Sequence, residues 1–114
     1  MEPVGSDDRT PVMIWSTWPD EPSARAGARA LVEARLAACA VILPAIASVY
    51  RWNGAVEEAT EVGLLVKTRA GRRDAAMAAI ARDHPYEVPA ILALTVEAAA
   101  RAYGDWIVAA TSED

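Results

Sequence analysis

Apolar and polar positions recur along this chain with a period that changes from segment to segment, and the changes mark its elements. Val12-Met13-Ile14-Trp15-Ser16-Thr17 is a short apolar run with polar residues at its end, followed by Trp18-Pro19-Asp20-Glu21-Pro22, a stretch dense in breakers. This predicts a first strand from Pro11 and then a helix, with Asp20 or Glu21 at the N-cap. Pro22 falls in the first turn, where its missing N–H costs nothing. Ala24, Ala28, Leu31, Val32 and Leu36 then return at three- and four-residue steps, with Arg25, Arg29, Glu33 and Arg35 mostly on the other faces. That spacing predicts an amphipathic helix of about four turns.

Residues 39–51 and 56–68 are two long segments rich in Val, Ile, Leu and Tyr, separated by Trp52-Asn53-Gly54-Ala55. Asn-Gly is the strongest two-residue signal for a type I′ turn, because both central positions need positive φ, so the two segments read as one long β-hairpin. Pro44 cannot donate to a ladder, so the second strand should bulge or lie at an edge there. Residues 70–83 carry Ala76, Met77 and Ile80 at helical spacing, with Thr68 as the expected N-cap and Pro85 beyond the end. Residues 89–96 read as a fourth strand, and Ala99, Tyr103, Trp106, Ile107 and Ala110 line a final helix. The order β-α-β-β-α-β-α predicts an α+β fold of the ferredoxin-like βαββαβ type, a sandwich with a long second hairpin and an extra C-terminal helix. Residues 1–10 and 112–114 lack periodicity and read as disordered tails around a domain spanning 11–111.

Strand length adds a quaternary expectation. A compact domain of 114 residues has a diameter of roughly 34 Å, whereas thirteen strand residues at ~3.3 Å each reach about 43 Å. The hairpin must overrun its own domain, leaving Val49, Tyr50, Trp52 and Val56 on open strands that a lone subunit would expose to water. Another copy of the chain is expected to cover them.

Composition narrows the function classes. Apolar residues make up 54% of the chain and charged residues 24%, which excludes dominant disorder. The longest apolar stretch, residues 36–47, is too short to span a bilayer, so no membrane role is expected. Eleven basic against 16 acidic residues, scattered rather than striped, disfavour nucleic acid as a partner. The single cysteine, Cys39, cannot form an intrachain disulfide, and the first residues lack a signal-peptide pattern, so a reducing cytoplasm is the expected compartment.

His84 is the only histidine and lies in His84-Pro85-Tyr86-Glu87, where the second helix stops. Proton transfer and metal ligation are open to it; so is the plainer role of satisfying helix-end carbonyls and packing its ring. Cys39 can be a soft ligand for copper or zinc, or a small buried hydrophobe. No CxxC, HxxxH or HExxH is present, so any metal site must be assembled by folding or by subunit contact. Ser16, Thr17, Ser48 and Thr68 are available hydroxyls, but no nucleophile elbow or phosphate-cradling loop accompanies them, and nothing demands an enzyme. Glu57, Glu58 and Glu61 read as a solvated hairpin face or an acidic cluster. Lys67, the only lysine, can bind an anion or pair with a carboxylate.

The chain resembles the CutA family of divalent-ion tolerance proteins. The matching segments are Leu31-Val32-Glu33 through Cys39, Ser48-Val49-Tyr50-Arg51-Trp52-Asn53-Gly54, Glu61 through Leu65-Val66-Lys67-Thr68, His84-Pro85-Tyr86-Glu87-Val88-Pro89, and Val96-Glu97-Ala98 with Tyr103 and Trp106. The resemblance implies a cytoplasmic homotrimer linked to tolerance of copper and other divalent cations, and the leading expectation is a non-catalytic protein that requires no cofactor, with copper or another divalent cation as the candidate ion. It implies metal contact at Cys39, His84 and Glu87, and a region between subunits lined by Tyr50, Trp52, Lys67, Tyr86 and Glu97. Three alternatives stay open: a PII-like regulatory module holding a small anionic metabolite through Lys67, an enzyme using His84 as general acid or base, and a structural or protein-anchoring scaffold. Departures from the family pattern are Cys39-Ala40-Val41-Ile42 for Cys-Val-Asn-Ile, Ala45 for a glycine after Pro44, and Ala55 for a lysine after Gly54.

Overall fold

The computed structural model describes residues 7–112. The elements are β1 (Pro11–Trp18), α1 (Glu21–Glu33), β2 (Cys39–Trp52), β3 (Ala55–Arg69), α2 (Ala70–Asp83), β4 (Ile91–Thr95) and α3 (Arg101–Ala110). They form the expected α+β, ferredoxin-like arrangement. One antiparallel sheet runs in the order β2-β3-β1-β4, with α1 and α2 on one face.

Alternation along β1 and β3 sends Val12, Ile14, Ser16, Trp18, Val62, Leu64, Val66 and Thr68 toward the helices, where all are buried. Ala24, Ala28, Leu31, Ala76, Ala79 and Ile80 meet them from α1 and α2, and the small side chains let the helices come close to the sheet. At Gly27 a Cβ would lie 2.8 Å from the Trp18 ring, so that turn of α1 must be side-chain-free. Trp18 in turn donates its indole N–H to Ser16 Oγ at 2.8 Å inside the core.

One local expectation is narrowed to a single residue and several others are corrected. Asp20 is the N-cap of α1, its Oδ1 accepting from the Ser23 N–H at 2.8 Å, which holds its carboxyl below the usual carboxylate value. The helix ends at Glu33 and does not reach Leu36: Leu36 N–H donates to Leu31 C=O and Arg35 N–H to Val32 C=O, a Schellman closure with Arg35 at φ 60°. Thr68 is not a helix cap. Its hydroxyl donates to Leu36 C=O at 2.7 Å, while the first N–H groups of α2 at Ala70 and Gly71 donate to Thr10 and Asp8 C=O. Residues 7–10 therefore form a hydrogen-bonded turn that caps α2, although the sequence groups them with a tail; residues 1–6 of that tail lie outside the described residues. At the other end, Ser112 is bonded back to α3, and 113–114 lie outside the described residues. β4 is shorter than expected, and α3 begins at Arg101 rather than Ala99.

The hairpin turns at Asn53 (φ 49°) and Gly54 (φ 78°), the left-handed pair that a type I′ turn requires. β2 lies at the sheet edge and bulges at Pro44-Ala45, with Ala45 at φ 56°. The bulge faces Val62, the partner of Trp18, so it sits at the level where β1 ends. Beyond it the sheet continues as two strands only. The molecule is accordingly 45 Å long and 31 Å wide, and Val49, Tyr50, Trp52 and Val56 on the overhang are exposed.

Candidate functional site

The step from four strands to two creates a concave corner. β3 continues past Trp18 with Glu61, and the segment after α2 crosses beneath the overhang on its way to β4. In the corner lies a groove of about 810 Å³, walled by Tyr50, Trp52 and Glu57 from the hairpin, Glu61 from the step, and Tyr86 and Glu87 from the crossing segment. Cross-strand pairing of Tyr50 with Glu57 and of Trp52 with Ala55, together with the alternation along β3, puts Tyr50, Trp52, Glu57 and Glu61 on one sheet face.

His84 anchors the crossing segment. Its Nε2 lies 2.7 Å from Thr17 C=O, and its Nδ1 lies 3.0 Å from the Tyr86 N–H. A carbonyl only accepts, so Nε2 carries the proton, and Nδ1 accepts from the Tyr86 amide. The ring packs on Trp18 and Tyr86, with centroids 4.2 and 4.9 Å away. Both nitrogens are thus committed to backbone within the subunit, which leaves no free lone pair for a metal or a proton acceptor. The plainer of the two roles open to this histidine is the one the geometry supports.

Tyr86 donates its hydroxyl to Glu61 Oε2 at 3.4 Å. Burial first, and then the negative Glu61, raise its phenol above the usual value. Glu61 is only 8% exposed. The expectation of a solvated acidic face is therefore corrected at this residue and holds for Glu57 and Glu58, which are exposed. Sequence reasoning also missed Thr17, whose carbonyl holds His84. The usable signal for Glu61 was its even spacing from Lys67 along a strand half-buried on that face.

The remaining residues that the resemblance implies gather elsewhere. Cys39 pairs across the ladder with Lys67, and Lys67 with Met13, whereas His84 meets β1 at Thr17. Four strand residues put the Cys39 and His84 levels roughly 13 Å apart. Lys67 Nζ donates to Tyr103 Oη at 3.2 Å, and this bond is the main cause that raises its ammonium above the usual lysine value. Tyr103 stacks on Trp106. Glu97 follows β4 toward that same end and is exposed. Among the described residues no three His, Cys, Asp or Glu side chains come together as a metal cage. Cys39, His84 and Glu87 are therefore not brought together within one subunit.

The sheet face away from α1 and α2 is largely open. Val41, Leu43, Leu92 and Leu94 are exposed there beside half-buried Met13, Trp15 and Leu65, and α3 covers only part of it. The Trp15 ring closes over Gly63, where a Cβ would be 2.5 Å from it.

Residues 12–110 match the family described as CutA1 divalent ion tolerance protein. The divalent-cation tolerance protein CutA of Thermus thermophilus is 46% identical over 95 residues, covering 83% of this chain and 92% of that protein. A CutA homolog of Xenopus laevis is 41% identical over 91 residues, and the matched part covers 80% of this chain but 60% of that longer protein. The crystal structure of CutA from Xylella fastidiosa superposes with a TM-score of 0.88 at 40% identity, covering 93% of this chain and all of that one.

Proposed function

The chain belongs to the CutA1 divalent ion tolerance family, and from that premise we propose that it works as a non-catalytic homotrimer in the cytoplasm, binding a divalent cation or small ligand where the overhang of one subunit meets its neighbour. Membership supports a role in metal tolerance. The observation that carries the assembly is the uncovered sheet: an apolar open face and an overhang with Val49, Trp52 and Val56 at least half exposed. Soluble chains rarely leave such surfaces to water, and a ring of copies buries both at once. The cytoplasmic reading is supported by the single free thiol, Cys39.

The donors in the groove are oxygens, from Glu57, Glu61, Glu87 and the phenols. Such donors suit hard or borderline divalent cations better than thiophilic copper(I), and Cys39 is too far away in the same subunit to add sulfur. A metal bound here would take carboxylates from more than one subunit, Glu87 and Glu61 first. Native mass spectrometry of the purified chain titrated with zinc and copper tests this reading. The expected result is a trimer with saturable, whole-number metal uptake that falls in Glu61→Gln and Glu87→Gln. A monomer at micromolar concentration, or uptake indifferent to both substitutions, overturns it.

A further inference from the structure

The groove at the step carries more than metal donors. Three aromatic side chains, Tyr50, Trp52 and Tyr86, share its walls with three carboxylates, Glu57, Glu61 and Glu87. Arg51 is the one cation in the lining and makes no ion pair with them, so the lining is net negative. Glu57 and Glu61 stand four residues apart on one face of β3, roughly 13 Å along the strand. That spacing spreads the negative charge along the groove and does not focus it on one point. It suits instead a larger body carrying diffuse positive charge.

Glu61 supplies an independent pointer. It is only 8% exposed, accepts a 3.4 Å hydrogen bond from Tyr86, and leaves no buried oxygen without a partner. A carboxylate largely withdrawn from water and held by one long hydrogen bond is a favourable counter-charge for a cation entering the groove. Aromatic ring faces attract cations through their quadrupoles, most strongly where water is thin, and they favour weakly hydrated organic ammonium ions over tightly hydrated metals. The volume, about 810 Å³, is that of a small-molecule site rather than an ion site.

We propose that the groove between Tyr50, Trp52, Tyr86 and Glu61 binds an organic ammonium cation. The ring faces receive the charged head, Glu61 supplies the buried counter-charge oriented by the Tyr86 hydroxyl, and Glu57 and Glu87 draw the cation in from solvent. The inference rests on the groove being a ligand site, as in the function proposed above, and assigns it a different ligand class.

Isothermal titration calorimetry on the full chain, with tetramethylammonium chloride, n-butylammonium chloride and zinc chloride in parallel, tests it. The expected result is saturable binding of at least one ammonium probe, weakened roughly tenfold by Trp52→Leu and by Glu61→Gln and little changed by Tyr103→Leu, which lies at the other end of the sheet. Tighter binding of tetramethylammonium would assign the recognition chiefly to the ring faces, and tighter binding of n-butylammonium to hydrogen bonds with Glu61; either supports the proposal. Tyr50 and Trp52 lie on the overhang outside the subunit's own core, so their replacement spares that core, and Tyr50→Leu repeats the test should Trp52→Leu alter the assembly. Zinc binding that depends on Glu61 with no ammonium binding overturns the ammonium assignment and leaves the metal reading standing. No binding of any probe overturns both, and ammonium binding indifferent to Trp52, Tyr50 and Glu61 overturns the proposed place.

Discussion

Replacing His84 with alanine separates a pin of the fold from a ligand of a metal. In the folded chain this side chain is 8% exposed and makes two hydrogen bonds to backbone, one to Thr17 C=O and one from Tyr86 N–H. Each such bond contributes about 1 kcal/mol net, and truncation also strands its two backbone partners. The ring contacts with Trp18 and Tyr86 add about 1 kcal/mol. The sum is a loss of about 3 kcal/mol, large against the marginal stability of a small domain. His84→Asn keeps an acceptor for the Tyr86 N–H but cannot reach Thr17, so about half of the loss should remain. Urea unfolding followed by near-ultraviolet circular dichroism reads both variants, at one fixed chain concentration because the stability of an assembly depends on it. An unchanged urea midpoint for His84→Ala, accompanied by lost metal uptake, would refute the reasoning, since it would mean that the ring nitrogens serve a ligand and not the backbone.

Three further outcomes follow from the geometry. Ser16→Ala strips the buried Trp18 indole N–H of its acceptor and should cost about 1–3 kcal/mol in the same urea assay; a neutral result would show that the pair is not sealed from water. Ala45 occupies the left-handed region at φ 56°, so Ala45→Gly should raise stability by about 0.5–1 kcal/mol, the relief of strain outweighing the added freedom of the unfolded chain; a lower midpoint would contradict the bulge geometry. The Tyr86 phenol is raised in the folded state, chiefly by burial and then by Glu61. Its contribution is therefore complete below the unfolded phenol value of about 10 and is lost as the pH rises through the higher folded value. Tyr86→Phe should flatten the alkaline fall of the unfolding midpoint, and an equally steep fall would assign that fall to other groups.

The features legible in the sequence are those set by near neighbours along the chain. Asn53-Gly54 dictates its turn because only residues tolerant of positive φ fit there, and strand length alone announces the overhang. The features that were hidden depend on contacts between distant segments. Glu61 looks like any acidic residue on a polar hairpin until Tyr86, 25 positions later, closes over it. His84 looks free until Thr17, 67 positions earlier, takes its proton-bearing nitrogen. Thr68 has the side chain of a cap, but its hydroxyl is claimed by Leu36 C=O, and main-chain carbonyls of residues 8 and 10 do the capping instead. Local propensity proposes such roles, and tertiary hydrogen bonds reassign them.

One mismatch in strand length accounts for both the surface that needs a neighbour and the groove that can hold a ligand. β2 and β3 outlast β1 and β4, so the sheet narrows at Trp18, and the bulge at Pro44-Ala45 bends the hairpin at that same level. The angle of the overhang therefore sets how far Tyr50 and Trp52 stand from Tyr86 and Glu87 across the groove. In the proposed trimer a neighbour leaning on the overhang fixes that angle. A ligand seated between the walls favours the angle that fits it, and so favours the assembly that holds it. Ligand binding and subunit association are then coupled through one hinge, and a saturating groove ligand should slow exchange of subunits between differently labelled trimers. Substitutions at the bulge should shift both equilibria together, which residues acting only in the groove or only on the open sheet face cannot do.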